Sequence, residues 1–479
     1  MRRIITIGLL LAMLAILYTS FDPSMLRAAS ASSATLSASS APAVPGDWPT
    51  SLFNNERSSF NKSETTITHN TAPNLKLHWT YTDPAAGIIS VQPVEANGLI
   101  YWGSWNDGIE HATTLSGTQA WGANVGVSPP ANCGTHTLGV ASTATIATEN
   151  IGGTSKSVLY VGGGDVNFYA LDAHTGAQIW KTQLGTKPDF FIWSSPAVYK
   201  GSVYIGLASR GDCPLVQGQL IQMNAVTGQI QHVFNTVPNG CTGASVWGSP
   251  TIDSQAGTIY FVTGNGGGCG SNESYAVAMV EVRASDLSLV GSWQVPSSQI
   301  GTDSDFGTTP TLFQATINGV LTNLVGAVNK NGFFYAMKRD ALASGPVWTA
   351  TIAIGGYCPE CGQGSISPAA WDGKNLYVAG GNTTIGGQSC QGSLRSLDPA
   401  TGNFHWQKCF TSGPVLGAVS LVKGVAFVGQ GSHVVAIGTA RGVKLFDYDT
   451  GAQIYEGASI SNGIVYIGST NANLYAFGL

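Results

Sequence analysis

Cys358 and Cys361 stand at CxxC spacing in Cys358-Pro-Glu-Cys361, close enough to share a metal ion or a redox bond. The sequence supplies little else for either role. No second CxxC follows, and Gly362 stands where covalent haem attachment needs His. The pair therefore reads as a loop staple in a chain of 8 cysteines, a count that suits disulfides in an exported protein. Proximity within repeats pairs Cys213 with Cys241 and Cys390 with Cys409. Other polar residues have two readings each. Asn265 after Gly264, Asp305 near Asp303, and Lys330 within Asn329-Lys330-Asn331-Gly332 are either ordinary turn residues or site chemistry. Trp247 is either core packing or a stacking surface. His232 and His405 read as packing or surface groups rather than ligands.

The elements that must position these residues follow from composition and repeat. Of 479 residues only 10% are charged and 43% are hydrophobic, with 62 glycines. Each Gly costs about 1 kcal/mol in a helix relative to Ala, so long helices are disfavoured. Short strands and tight turns suit this mixture, and the predicted class is all-β. A formal charge of −5, with few Lys or Arg clusters, argues against a nucleic-acid partner. Residues 1–31 read as a signal peptide: Met1-Arg2-Arg3, an apolar run from Ile4 to Phe21, then Ala29-Ser30-Ala31. The alternative is an uncleaved anchor, the only membrane role the sequence offers. Residues 32–46 read as a Ser/Ala/Pro-rich spacer and 47–479 as one propeller.

One pattern recurs: an apolar strand ending Tyr-x-Gly, a second strand, then Asp-x-x-Thr-Gly-x-x-x-Trp. Its clearest copy runs from Leu159 through Tyr169-Ala170-Leu171-Asp172 to Thr175-Gly176 and Trp180, and another from Leu376 to Trp406. Weaker copies put His232 and Tyr455 at the Trp position, after Gly228 and Gly451. Blade starts fall near Tyr101, Tyr160, Tyr204, Tyr260, Leu324, Tyr377, Phe427 and Tyr466, the spacing of four-stranded blades. These predict an eight-bladed β-propeller of four-stranded antiparallel sheets. The last copy stops at Leu474-Tyr475-Ala476-Phe477 without a Trp strand, while Leu75-Lys76-Leu77-His78-Trp79 is an unmatched strand near the front. Pairing the two closes the ring and removes the open edge.

The Tyr-x-Gly, Ala-Leu-Asp-Ala-x-Thr-Gly, Trp repeat resembles that of the pyrroloquinoline-quinone (PQQ) dehydrogenases, over about Gly46 to the C-terminus. Gly46-Asp47-Trp48-Pro49 resembles the leading segment of those proteins. Asp305-Phe306-Gly307-Thr308-Thr309-Pro310 and Val328-Asn329-Lys330-Asn331-Gly332 are similar to the polyvinyl-alcohol dehydrogenase branch of the quinoprotein alcohol dehydrogenases.

The resemblance implies a site at one mouth of the central channel, where PQQ stacks on a Trp and chelates Ca²⁺. Trp247 in Val246-Trp247-Gly248-Ser249-Pro250 matches the stacking residue, and Asn265 in Thr263-Gly264-Asn265 a calcium ligand. Asp305 matches the catalytic base and a second ligand, and Lys330 the cation on the quinone oxygens. The implied activity is oxidation of alcohols, secondary or polymeric ones included. With no CxxCH, electrons pass to an external cytochrome or other acceptor. Departures accompany the match. Asn132-Cys133 stands where the family often has adjacent cysteines, and Leu138 where it has an Arg. Asp212-Cys213 stands near the expected calcium-binding Glu, so Asp212 is the candidate third ligand. The alternative function is a non-catalytic propeller that binds a protein or glycan partner in the cell envelope.

Overall fold

The computed structural model describes residues 46–131 and 134–479. The segments expected to be a signal peptide and, but for Gly46, a spacer lie outside the described residues, as do Asn132 and Cys133. Eight antiparallel sheets follow one another along the chain as blades 1–8. Blade 1 runs outward from Val94–Ala96 through Leu99–Gly103 and Ile109–Thr114 to Gln119–Asn124. Blade 3 gains the short strand Phe190–Phe191, and blade 7 a parallel strand, Phe60–Asn61. The eight positions expected near blade starts, Tyr101 to Tyr466, all fall in the second strand of a blade. The innermost strands carry no repeat signature; Val94–Ala96 and Thr251–Asp253, three residues each, are wholly buried.

The ring closes as expected. Lys76–Thr82 pairs antiparallel with Asn473–Gly478 as the outer strand of blade 8. A second closure lies at the inner edge, where residues 48–61 visit every blade in order. Trp48 bridges Glu95 of blade 1, and the Pro49 carbonyl accepts from Ile146 of blade 2 at 2.9 Å. Asn55 reaches Val198 and Ile252 of blades 3 and 4 at 2.9 and 2.8 Å. Carbonyls of Glu56, Ser58 and Ser59 then accept from Leu312, Trp371 and Leu421, and Asn61 donates to Ile460 of blade 8 at 2.8 Å. Inner strands that cannot pair across the channel thus find partners in one encircling segment.

The repeat motif joins blades as well as turning within them. Asp172 Oδ1 accepts from the His174 and Thr175 amides at 3.1 Å, the local turn expected of Asp-x-x-Thr-Gly. Gly176, Gly228, Gly402 and Gly442 hold φ between 71 and 74° or at 67°. Each also lies under the Trp of the preceding blade: a Cβ at Gly228 would meet Trp180 at 2.5 Å, and one at Gly117 would meet Trp79 at 2.7 Å. The indole nitrogens then donate to the next blade, Trp180 to Ala225 O at 3.0 Å and Trp121 to Ala173 O at 3.1 Å. Trp180→Ala is therefore expected to lose about 3–5 kcal/mol of stability, since it opens a void between the blades, although Ala225 O keeps its hydrogen bond from Tyr160 at 2.9 Å. An unfolding curve that overlays the parent's would refute this stitching role.

The weak copy at Gly451 is out of register. The turn of blade 7 lies at Gly442, under Trp406, so Phe446 holds the Trp position within Val443–Asp449. Tyr455 lies beyond that strand and lines the central cavity instead. Among the cysteines, Cys358–Cys361 and Cys390–Cys409 are bonded as expected. Cys241 pairs with Cys269, with Cα atoms 6.0 Å apart, and not with Cys213, which has a different disulfide partner. The reason is contact between blades: the loop after blade 3 lies on the loop of blade 4, with Gly243 bridging Gly266 and Ala244 N donating to Asn265 O.

Candidate functional site

A cavity of about 400 Å³ opens at one end of the channel, with Ser51 and Leu52 of the encircling segment among its lining residues. Its walls come from two kinds of position. Arg210, Asn265 and Lys330 follow the second strands of blades 3, 4 and 5, namely Ser202–Ser209, Thr258–Val262 and Val320–Val328. Trp247 and Asp305 precede the inner strands Thr251–Asp253 and Thr311–Ile317. All second strands end at the same mouth of a propeller, so equivalent loops converge there.

All five residues expected at the site, Asp212, Trp247, Asn265, Asp305 and Lys330, line this cavity. Lys330 is its electrostatic centre. Its Nζ lies 2.7 Å from Asp305 Oδ1, 3.0 Å from both oxygens of Asp303, and 5.0 Å from the Trp247 ring centroid. Trp247 Nε1 donates to Asp305 Oδ2 at 3.2 Å, and Asn265 Nδ2 donates to Asp303 Oδ1 at 2.6 Å. The Lys330–Asp305 contact is close but poorly aligned, so the buried Oδ1 lacks a well-directed donor. Gly307 lets Trp247 lie close, since a Cβ there would meet the indole at 2.2 Å.

Burial sets the charges. It raises the Asp305 carboxyl to about 6, against the pull of Lys330. Desolvation works against the Lys330 ammonium, yet Asp305 and Asp303 together hold its pKa above the usual lysine value. Asp212 stands exposed at the rim; partial desolvation and then Asp303 push its carboxyl up. On the blade 8 side, burial lifts Glu456 to about 7. The cavity thus gathers carboxylates around one ammonium, an oxygen-rich donor set.

Three lining or bridging residues escaped the sequence reading. Asp303 joins Lys330 to Asn265, and its signal was its place beside Asp305 in Asp303-Ser304-Asp305. Arg210 would have emerged from aligning the ends of the second strands, where it is equivalent to Asn265 and Lys330. Its guanidinium donates to the carbonyls of Pro129 and His136. Glu456 carries no sequence signal, because it follows the blade 7 strand in a loop outside the motif. Leu138, by contrast, is buried in a bridge with Ser128 and does not line the cavity.

The family model described as outer membrane protein assembly factor BamB, a PQQ repeat model, matches residues 106–353. A polyvinylalcohol dehydrogenase of Pseudomonas sp is 26% identical over 364 residues, covering 63% of this chain and 56% of that protein. The chain spans about half the length of the curated relatives it matches. Among solved structures, quinohemoprotein alcohol dehydrogenase from Comamonas testosteroni superposes with a TM-score of 0.71 at 18% identity, covering 91% of this chain and 81% of that one. A europium-containing methanol dehydrogenase gives 0.72 at 16% identity, covering 91% and 98%. At such identities these two likenesses speak for the fold alone. The family match takes in more than half the sequence and coincides with the observed blades, and the chain belongs to the PQQ-repeat family of β-propellers.

Proposed function

We propose that this protein is an extracytoplasmic dehydrogenase that binds PQQ and Ca²⁺ in the cavity and oxidises alcohols, secondary or polymeric ones included. The observation that carries the reading is the joint burial of Asp305 and Lys330 at 2.7 Å beside the Trp247 ring, within a cavity of about 400 Å³. That volume falls in the range of small-molecule sites, about 300–1,000 Å³. The donor set fits the cofactors. Asn265 commits its amide nitrogen to Asp303, leaving its carbonyl oxygen for a cation, and Asp305 has an underused buried oxygen. Disulfides between blades 3 and 4 and within blade 6 agree with an oxidising compartment.

When bound, the quinone would supply a two-electron acceptor and Ca²⁺ a Lewis acid. Asn265, Asp305 and Asp212 would hold the cation through oxygen. Trp247 would flank the planar ring, and Arg210 supplies at the wall the cationic side chain that Leu138 does not. Lys330 would stabilise negative charge on the acceptor oxygens. Asp305 would take the proton of the substrate hydroxyl, with Trp247 Nε1 fixing its orientation. Electrons would leave to a cytochrome or another external acceptor.

Titration of the purified chain with PQQ and Ca²⁺ tests the proposal by quinone absorbance and melting temperature. A ligand at 100 times its Kd adds about 2.7 kcal/mol to the native state. Lys330→Ala should weaken PQQ binding about tenfold or more, on the scale of 1.4 kcal/mol per decade. If PQQ fails to bind at high micromolar concentration with Ca²⁺ present, the enzyme reading falls. A propeller that displays its loops to a cell-envelope partner would then be the better account.

A further inference from the structure

A second cluster lies at the seam where the ring closes, and nothing in the proposed oxidation uses it. Asp83 follows the closing strand Lys76–Thr82 of blade 8. Asp107 lies in the turn between Leu99–Gly103 and Ile109–Thr114 of blade 1, and His111 sits on the latter strand. One ligand atom from each of the three lies within 4.8 Å of the other two. We propose that Asp83, Asp107 and His111 form a binding site for a first-row divalent cation, of which Zn²⁺ is the best match, joining blade 8 to blade 1.

The local structure holds these groups in place before any ion arrives. The His111 side chain is 1% exposed, and its ring stacks on Trp102 with centroids 3.9 Å apart and planes 6° apart. Asp107 Oδ1 is committed to its own turn, accepting from Ser104 Oγ and from Ile109 N. Asp107 Oδ2 is buried and finds no hydrogen-bond partner among the described residues, whereas His111 Nε2, on the same side, lies 3.1 Å from Ser104 Oγ, a contact that a bound cation would replace. Oδ2 lies 4.0 Å from His111 Nε2, too far for a hydrogen bond. Ligands of one tetrahedral zinc ion, each about 2.0–2.2 Å from it, stand about 3.4 Å apart, so the side chains would draw together by roughly half an ångström or more on binding. Asp83 Oδ1 accepts from Ala85 N at 3.0 Å, which fixes the third carboxylate.

The loops carrying these residues are already docked. Asn106 N donates to Ala86 O at 3.0 Å, and Trp105 N donates to Ile88 O at 3.1 Å. One nitrogen and two carboxylate donors favour a borderline ion over Ca²⁺, which prefers oxygen alone. Water would complete the coordination. Trp105, two residues before Asp107, lines the central cavity, so an ion here would brace one wall of the channel as well as the seam.

The test uses the full folded chain, stripped with chelator and titrated with Zn²⁺, with Ca²⁺ in a parallel arm. Co²⁺ provides a spectroscopic probe through its visible absorption. The expected result is one strong Zn²⁺ equivalent, a raised melting temperature and Co²⁺ bands typical of nitrogen and oxygen ligands. Asp83→Asn, on a partly exposed loop, should fold normally and weaken Zn²⁺ affinity by about 100-fold, the upper end of the loss seen even for residues that only support a ligand. Asp305→Asn should leave this Zn²⁺ equivalent untouched, which separates the seam from the cofactor site. Unchanged Zn²⁺ affinity in Asp83→Asn, absence of a strong equivalent in the parent, or equal preference for Ca²⁺ would each overturn the assignment.

Discussion

Asp305→Asn should leave PQQ and Ca²⁺ bound while reducing alcohol-dependent dye reduction by about 10²–10⁴-fold, the range for loss of a positioned general base. The substitution nearly preserves shape. An amide oxygen can still accept from Trp247 Nε1, which lies 3.2 Å from Oδ2 in the parent. Lys330 keeps both oxygens of Asp303 at 3.0 Å, so the ammonium is not left alone in the cavity. What disappears is the group able to take a hydroxyl proton. Cofactor occupancy is read by absorbance, folding by melting, and turnover by dye reduction with saturating PQQ. Retention of more than about a tenth of the activity would remove Asp305 from the role of base. Loss of PQQ binding together with activity would instead make it a cofactor ligand alone.

Replacing Arg57 is expected to cost as much stability as removing a blade-stitching Trp. Arg57 is 0% exposed, and burial lowers its guanidinium pKa to about 10 despite the nearby Glu56. It donates to Pro250 O and Pro196 O, each at 3.0 Å, to Ser51 O at 2.6 Å and to Thr50 Oγ1 at 3.2 Å. Those acceptors belong to the encircling segment and to the approaches of blades 3 and 4. Arg57→Met fills most of the volume but leaves Pro250 O and Ser51 O without this donor, each costing about 1–3 kcal/mol before relaxation, while Pro196 O and Thr50 Oγ1 keep their hydrogen bonds to Thr145 Oγ1. Allowing for relaxation, a loss of about 3–5 kcal/mol is expected, the scale of breaking a buried charged network. Unfolding entropy of about 2.1 cal/mol/K per residue converts that to a melting shift of roughly 3–6 °C for a chain this long. Arg57→Lys should fall between, because one ammonium cannot reproduce a fork that spans four acceptors. A Met variant that melts within about 1 °C of the parent would show that the segment is held by its backbone contacts alone.

The repeat made the architecture legible. Tyr-x-Gly and Asp-x-x-Thr-Gly are short-range signals: alternation sets a strand, and the Asp172 side chain caps its own turn. The same logic exposed ring closure, because Leu75 to Trp79 and Leu474 to Phe477 were halves of one repeat. Family motifs brought Asp212, Trp247, Asn265, Asp305 and Lys330 to attention, and the fold gathers all five around one cavity. Contacts between blades were not legible in the same way. Cys241 chose Cys269 over Cys213, although both stand 28 residues away, because adjacent blades press their loops together at that mouth. Arg210 and Asp303 enter the site through the positions of loop ends, legible only by aligning the blades or by reading Asp303 together with Asp305. Tyr455 looked like a repeat residue but faces the channel, since the turn of blade 7 lies at Gly442. The sequence alone determined the blades and the strand that closes them, through hydrogen bonding and alternation over a few residues. Only the tertiary structure decided which loops meet, because curvature of the closed ring brings residues far apart in sequence to the same mouth.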